Sequence, residues 1–146
     1  CIRDSNEVYK RAGGVHGCAL CRCNPHSDPE IDLFVEDVGR HNAADAISGF
    51  MWLNAIEGAD KWFYTTGRLT SEMVIKVAQM QIPILVSRSG VTFRGLELAR
   101  KIGVVLIARA KGKHFLVYHG ADQISFDAIP SAMPADGSQR GPRRTG

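Results

Sequence analysis

Between residues 31 and 119 short apolar runs alternate with stretches whose apolar positions recur every three or four residues. Ile31-Asp32-Leu33-Phe34-Val35 has the character of a strand. Ala43, Ile47, Phe50 and Met51 fall at helical spacing and predict an amphipathic helix ending near Gly58. Residues 62–66, aromatic and β-branched, predict a second strand. Residues 70–81 predict a helix with Met73, Val77 and Met80 on one stripe and Glu72 in its first turn. Residues 82–87 read as a short buried strand that tolerates Pro83 at its start. A helix over 93–102, with Arg100 and Lys101 in its last turn, stops at Gly103. Residues 104–108 form another buried strand, and the basic turn Lys111-Gly112-Lys113 leads into a hairpin partner at 115–118. The stretch 13–23 adds one helix in front.

Strand–helix alternation with near-continuous apolar strands implies an α/β fold, a mostly parallel sheet in three α/β/α layers with helices on both faces. The chain, 146 residues with 45% hydrophobic and 23% charged positions, is long enough for one domain of ordinary soluble globular composition. Residues 13–130 are expected to form that domain, after a linker over 1–12 from an upstream region and before a disordered basic tail over 131–146. No run of 18 apolar residues occurs and no signal peptide stands at the start, so no membrane association is expected. The formal charge of +3 arises in the tail, through Arg140, Arg143 and Arg144, and argues for no nucleic-acid partner. Of the four cysteines, 1, 18, 21 and 23, the last three crowd into six residues rather than spreading along the chain, which suits a reducing, cytoplasmic setting better than a disulfide framework.

In open α/β sheets ligands bind beyond the carboxyl ends of the strands. Four segments hold that position: 36–42, 67–71, 88–92 and 109–114. Each carries a glycine and an arginine (Arg40, Arg68, Arg88, Arg109), and three run into a helix start, whose free N–H groups and dipole favour phosphate. A ligand with more than one phosphate, such as a dinucleotide, would suit four such loops. His41 and Asn42 admit two readings. Asn42 caps the helix with His41 on the surface, or His41 and Asp37 point into the pocket. The stretch His16 to His26, with Cys18, Cys21 and Cys23, leaves three: buried thiols acting as small hydrophobes, which comes first, a zinc site, or a redox or sulfur-transfer pair.

These stretches resemble one family. Gly13-Gly14-Val15-His16, Glu36-Asp37-Val38-Gly39-Arg40-His41-Asn42-Ala43, Thr66-Gly67-Arg68 followed by Ser71-Glu72-Met73-Val74, Pro83 to Ser89, Leu96 to Arg100, and Gly112 to Tyr118 match, in order, the FdhD/NarQ formate dehydrogenase accessory sulfurtransferases. The resemblance implies a cytidine-deaminase-like fold and a homodimer. It implies a sulfur carrier that takes sulfur as a persulfide from a cysteine desulfurase. The sulfur passes to the molybdenum cofactor, bis-molybdopterin guanine dinucleotide, before that cofactor enters formate dehydrogenase. The family's cofactor-binding turn falls on Arg109, Ala110, Lys111, Gly112, Lys113 and His114, with Arg40, Arg68 and Arg88 as further candidates. The family's persulfide Cys-x-x-Cys lies upstream of Gly13, so no catalytic residue and no metal ligand is assigned here. Two departures stand out: Cys18, Cys21 and Cys23 replace an alanine-rich stretch, and Asp45-Ala46 stands where Asp-Lys is usual. Two alternatives remain, a non-catalytic nucleotide- or cofactor-binding chaperone module and a zinc-dependent deaminase-like hydrolase; the latter lacks the His-x-Glu that such chemistry needs.

Overall fold

The structure is a computed structural model and describes residues 6–23, 30–112 and 114–125. In chain order it contains α1 (Glu7–Ala12), β1 (His16–Arg22), β2 (Glu30–Asp37), α2 (Arg40–Leu53), β3 (Lys61–Thr65), α3 (Ser71–Gln79), β4 (Ile84–Ser87), α4 (Phe93–Ile102), β5 (Val105–Lys111) and β6 (His114–His119). The tail over 131–146 lies outside the described residues, while the expected linker includes α1.

The element expected as a helix over 13–23 is instead β1, a central strand. Cys18, Ala19, Leu20 and Cys21 are all fully buried, and a strand covered on both faces shows a uniform apolar run rather than an alternation. β1 is antiparallel to both its neighbours, β2 and β3.

The six strands lie in the order β2-β1-β3-β4-β5-β6. β3, β4 and β5 are parallel, and β6 returns antiparallel beside β5. The sheet is therefore mixed, not mostly parallel: the inserted β1 and the closing hairpin each reverse direction. Because β1 runs against both β2 and β3, those two share a direction, and β2, β3, β4 and β5 all end at one edge.

Right-handed crossovers that advance steadily across a sheet place their helices on one side. Cys18, Leu20, Phe63, Leu85, Leu106 and Ala108 from alternate strand positions share one core with Ala43, Ile47 and Met51 of α2, Met73, Val74 and Val77 of α3 and Ala99 of α4. Each fully buried large side chain there contributes roughly 1.5–3 kcal/mol. The opposite face, with Trp62, Tyr64, Ile84, Val86 and Ile107 half-buried, carries no long helix among the described residues. Two layers, rather than the expected three, are thus described. The Glu36 carboxylate accepts from the backbone N–H groups of Val8 at 2.8 Å and Tyr9 at 3.0 Å, which ties α1 to the end of β2.

At the far edge, Lys61 is buried and paired with Asp60 at 2.8 Å and Asp32 at 3.6 Å, with Arg22 joining Asp32 at 2.9 Å. Beside it Gly58 is packed so closely that a Cβ would stand 2.0 Å from the Met80 carbonyl oxygen. Among the described residues no helix is long and apolar enough to cross a membrane.

In the extended chain Cys18 and Cys21, three residues apart, face opposite sides of the sheet. Burial pushes the Cys18 thiol up to about 11, with a bond to Thr65 partly offsetting it. Burial, then Asp32 and Cys23, push Cys21 up to about 12. Both are hydrophobic strand residues. Two outcomes are expected. Gly58→Ala should destabilise the fold by about 2–3 kcal/mol in denaturant unfolding, since backbone must move to admit the methyl. In native protein at pH 8, iodoacetamide should alkylate exposed Cys23 well before Cys18 or Cys21. The sign of the pH effect follows from the raised values. Below the ordinary thiol value of 9.0 folded and unfolded chains both keep these protons. Above it the unfolded chain ionises first, so stability falls by up to about 1.4 kcal/mol per pH unit per thiol, and Cys18→Ala should make that fall shallower.

Candidate functional site

The edge where β2 to β5 end is built on two buried hydroxyls. Thr65 Oγ1 accepts from the Gly67 N–H at 3.1 Å and from the Cys18 thiol at 3.4 Å. Ser87 Oγ donates to the Gly67 carbonyl at 2.6 Å and accepts from the Ser89 N–H at 2.8 Å. Neighbouring strands are stitched to the same turns. The Arg88 N–H donates to the Thr65 carbonyl at 3.1 Å, and the Arg109 N–H to the Ser89 carbonyl at 2.8 Å. Gly17 and Thr66 exchange two bonds, Thr66 N–H to Gly17 carbonyl at 2.9 Å and Gly17 N–H to Thr66 Oγ1 at 3.0 Å.

Above these turns lies a cleft of about 380 Å³, lined by Asn6, Tyr9, Val15, His16, Thr66, Arg88, Ser89 and Lys111. An arginine, a lysine, an imidazole, three hydroxyls and one side-chain amide line it, and among the described residues no carboxylate does. That donor set suits an oxyanion. The cleft's size falls at the lower end of ligand pockets, which run roughly 300–1,000 Å³. Burial raises the Tyr64 phenol above its ordinary value, with the nearby Arg88 charge partly offsetting it.

The four arginines expected at one edge are placed there, each in its own way. Arg88 lines the cleft. Arg109, exposed, sits in left-handed backbone with φ 52° where β5 bulges against β6. Arg68 is exposed, and Arg40 lays its side chain across Gly67. Of the expected cofactor turn, Lys111 lines the cleft, Ala110 is half-buried beside it, Gly112 makes the turn with φ 64°, and His114 is exposed at the start of β6. Lys113 lies outside the described residues.

The two readings of the segment before α2 resolve differently from either. Asp37 Oδ1 accepts from the Gly39 N–H at 2.7 Å and from the Asn42 side-chain amide at 3.2 Å. Asp37 therefore stabilises the turn into α2, Asn42 anchors Asp37, and neither is a free pocket acceptor. Asp45 pairs with Lys76 of α3.

Cys18 and Cys21 lie on opposite faces of β1, and His16 stands at the rim. Among the described residues no three His, Cys, Asp or Glu side chains converge; His26 lies outside them. Asn6, Tyr9, Val15 and Thr66 escaped the sequence reading. Once β1 is read as antiparallel its start must lie at the ligand edge, which brings Val15 and His16 in, and α1 follows through its tether to Glu36.

Comparison with known proteins agrees with this frame. The model of the FdhD/NarQ family matches residues 1–125. The chain is 30% identical over 125 residues to the sulfur carrier protein FdhD of Bacillus licheniformis, covering 86% of this chain and 46% of that one. It is 32% identical over 124 residues to the sulfur carrier protein FdhD of Wolinella succinogenes, covering 85% and 42%. A crystal structure of a protein from Desulfotalea psychrophila, assigned as a formate dehydrogenase accessory protein, superposes with a TM-score of 0.75 at 35% identity, covering 85% of this chain and 53% of that one. The chain thus spans about half the length of the relatives it matches. By family match, relatives and fold together, it belongs to the FdhD/NarQ family.

Proposed function

We propose that this chain is the cofactor-recognising part of a sulfur carrier that serves formate dehydrogenase, and that its cleft grips a phosphate-bearing arm of bis-molybdopterin guanine dinucleotide. One observation carries the reading: Arg88, Lys111, His16, Ser89 and Thr66 meet in one cleft that, among the described residues, no carboxylate lines. Arg88 would bind phosphate oxygens through its planar fork and Lys111 as a point charge. When bound, the cofactor supplies the molybdenum centre that is to receive sulfur. The chain's own residues hold its phosphates and orient it.

The sulfur source in this reading is a cysteine desulfurase, the client is formate dehydrogenase, and the setting is a cytoplasmic homodimer. The cytidine-deaminase-like relation belongs to the same proposal, supported by helices that all start at the ligand edge of a mixed sheet. A persulfide forms when a thiolate attacks sulfane sulfur. Buried Cys18 and Cys21, with thiol values near 11 and 12, hold almost no thiolate at neutral pH. This supports a packing role for Cys18 and Cys21 and argues against sulfur carriage by either thiol. It also gives weight to the reading of the chain on its own as a binding module.

The test is calorimetric titration of guanosine diphosphate into the chain at low salt. The double variant Arg88→Ala/Lys111→Ala should bind at least about 10-fold more weakly, as loss of two charge-assisted contacts requires, while its thermal melt stays close to that of the unmodified chain. Equal affinity of the two proteins would remove the cleft as the phosphate site.

A further inference from the structure

The cleft is bounded by two kinds of structure. Thr66, Arg88, Ser89 and Lys111 belong to the sheet edge, whereas Tyr9 lies on α1 and Asn6 is the residue that precedes it. None of the six residues of α1 is buried. A helix so short has no stability of its own, and with no buried face it gains little from packing.

Its start is closed from a distance. The Asn6 side chain does not cap the helix. The Glu36 carboxylate of β2 does so instead, accepting from the second and third helical N–H groups, those of Val8 at 2.8 Å and Tyr9 at 3.0 Å. Both bonds are exposed, so water competes for each partner. Asn6 itself lies over Gly17, where a Cβ would stand 2.9 Å from its Oδ1.

The other end of α1 meets β1 through Gly13 and Gly14, with φ of 65° and 68°. Glycine adopts such left-handed backbone at little cost, and other residues do not. Among the described residues a Cβ at either position would meet nothing within 4 Å, so these glycines serve conformation rather than packing. β1, by contrast, is buried from Gly17 to Cys21. A lightly held segment thus joins a fixed strand through a pair of pivots.

We propose that α1 is a hinged wall of the cleft, latched by Glu36 and swinging about Gly13–Gly14 when the latch breaks, so that a ligand enters and leaves on this side. The inference rests on the reading of the cleft as a phosphate-ligand site and adds how that site opens. Opening leaves the sheet edge as it is. Thr65 and Ser87 fix the turns that carry Thr66, Arg88 and Ser89, so the cationic side stays in place while Asn6 and Tyr9 withdraw. Few buried contacts and solvent-exposed hydrogen bonds are the marks of a segment that opens locally, ahead of global unfolding.

Amide hydrogen exchange by NMR reads the latch at its own two donors. In the unmodified chain Val8 and Tyr9 should be at least about 100-fold less protected than Phe63 and Leu85 of the core strands. Glu36→Ala should lower their protection by about 5-fold or more, as loss of bonds to a charged acceptor requires, and leave Phe63 and Leu85 unchanged. Gly14→Ala, which removes no contact, should do the same by straining the latched backbone. If release passes through the open form, both variants should also release guanosine diphosphate faster by a similar factor in stopped-flow displacement. Protection of Val8 and Tyr9 equal to that of the core overturns the inference, and so does protection unchanged in both variants. Faster exchange with unchanged nucleotide release overturns it as well, since α1 would then be loose without being a gate. Should Glu36→Ala lose the fold, seen as lost protection at Phe63 and Leu85, Gly14→Ala carries the test alone. The phosphate reading survives each of these failures as long as the nucleotide binds. If guanosine diphosphate does not bind, that reading falls and the gate falls with it.

Discussion

The hydroxyls of Thr65 and Ser87, buried at the ends of β3 and β4, hold the backbone of the Thr66–Gly67 and Arg88–Ser89 turns from beneath. Turns at the carboxyl edge of a sheet have left the ladder and must find other partners for their N–H and C=O groups. These two side chains supply them from inside the core, where water does not compete. Fixed in this way, the turns face outward with Arg88 and Ser89 on one side and Gly67 on the other. Gly67 then gives Arg40 a surface to lie on, since any side chain there would collide with its stem. The cationic rim is thus a consequence of how strand ends are satisfied.

The two faces of the molecule's chemistry follow from one contrast in solvation. The cationic groups Arg68, Arg88, Arg109 and Lys111 at the rim are exposed to solvent, while the thiols of β1 are sealed in the sheet and kept neutral. Cys18 even contributes to the rim's support, its thiol reaching Thr65 Oγ1 at 3.4 Å and the Arg40 carbonyl at 3.8 Å. A cysteine that a motif search would assign to sulfur chemistry acts here as a small, weakly polar wedge between a strand and a helix start.

Much of the fold was legible in the chain because period and position agree. The helix over Phe93–Ile102 was marked at both ends, by Thr92, whose hydroxyl accepts from the Gly95 N–H at 3.2 Å, and by Gly103 in left-handed backbone. The helix expected over 13–23 is β1 instead, because its apolar run is as compatible with a buried helix as with a central strand. That single error hid the antiparallel insertion, gave the sheet the wrong character, and left His16 and Val15 off the ligand edge. Helices on both faces were expected from the alternation alone, but strand order, which local pattern does not encode, decides the side. The arginines share one edge because Arg40, Arg68 and Arg88 each follow a strand that ends there. Which of them lines the cleft depends on side-chain direction and on a bulge at Arg109, neither of which residue types reveal.

Whether phosphate recognition resides on this edge is most directly measured by backbone amide NMR of the isotopically labelled chain during titration with guanosine diphosphate. The account predicts that the largest shifts cluster at Thr66, Gly67, Arg88, Ser89 and Lys111, with Lys61, Gly58 and Asp60 at the far edge unmoved. Shifts centred on the far edge, or on the half-buried sheet face around Trp62 and Ile84, would contradict it.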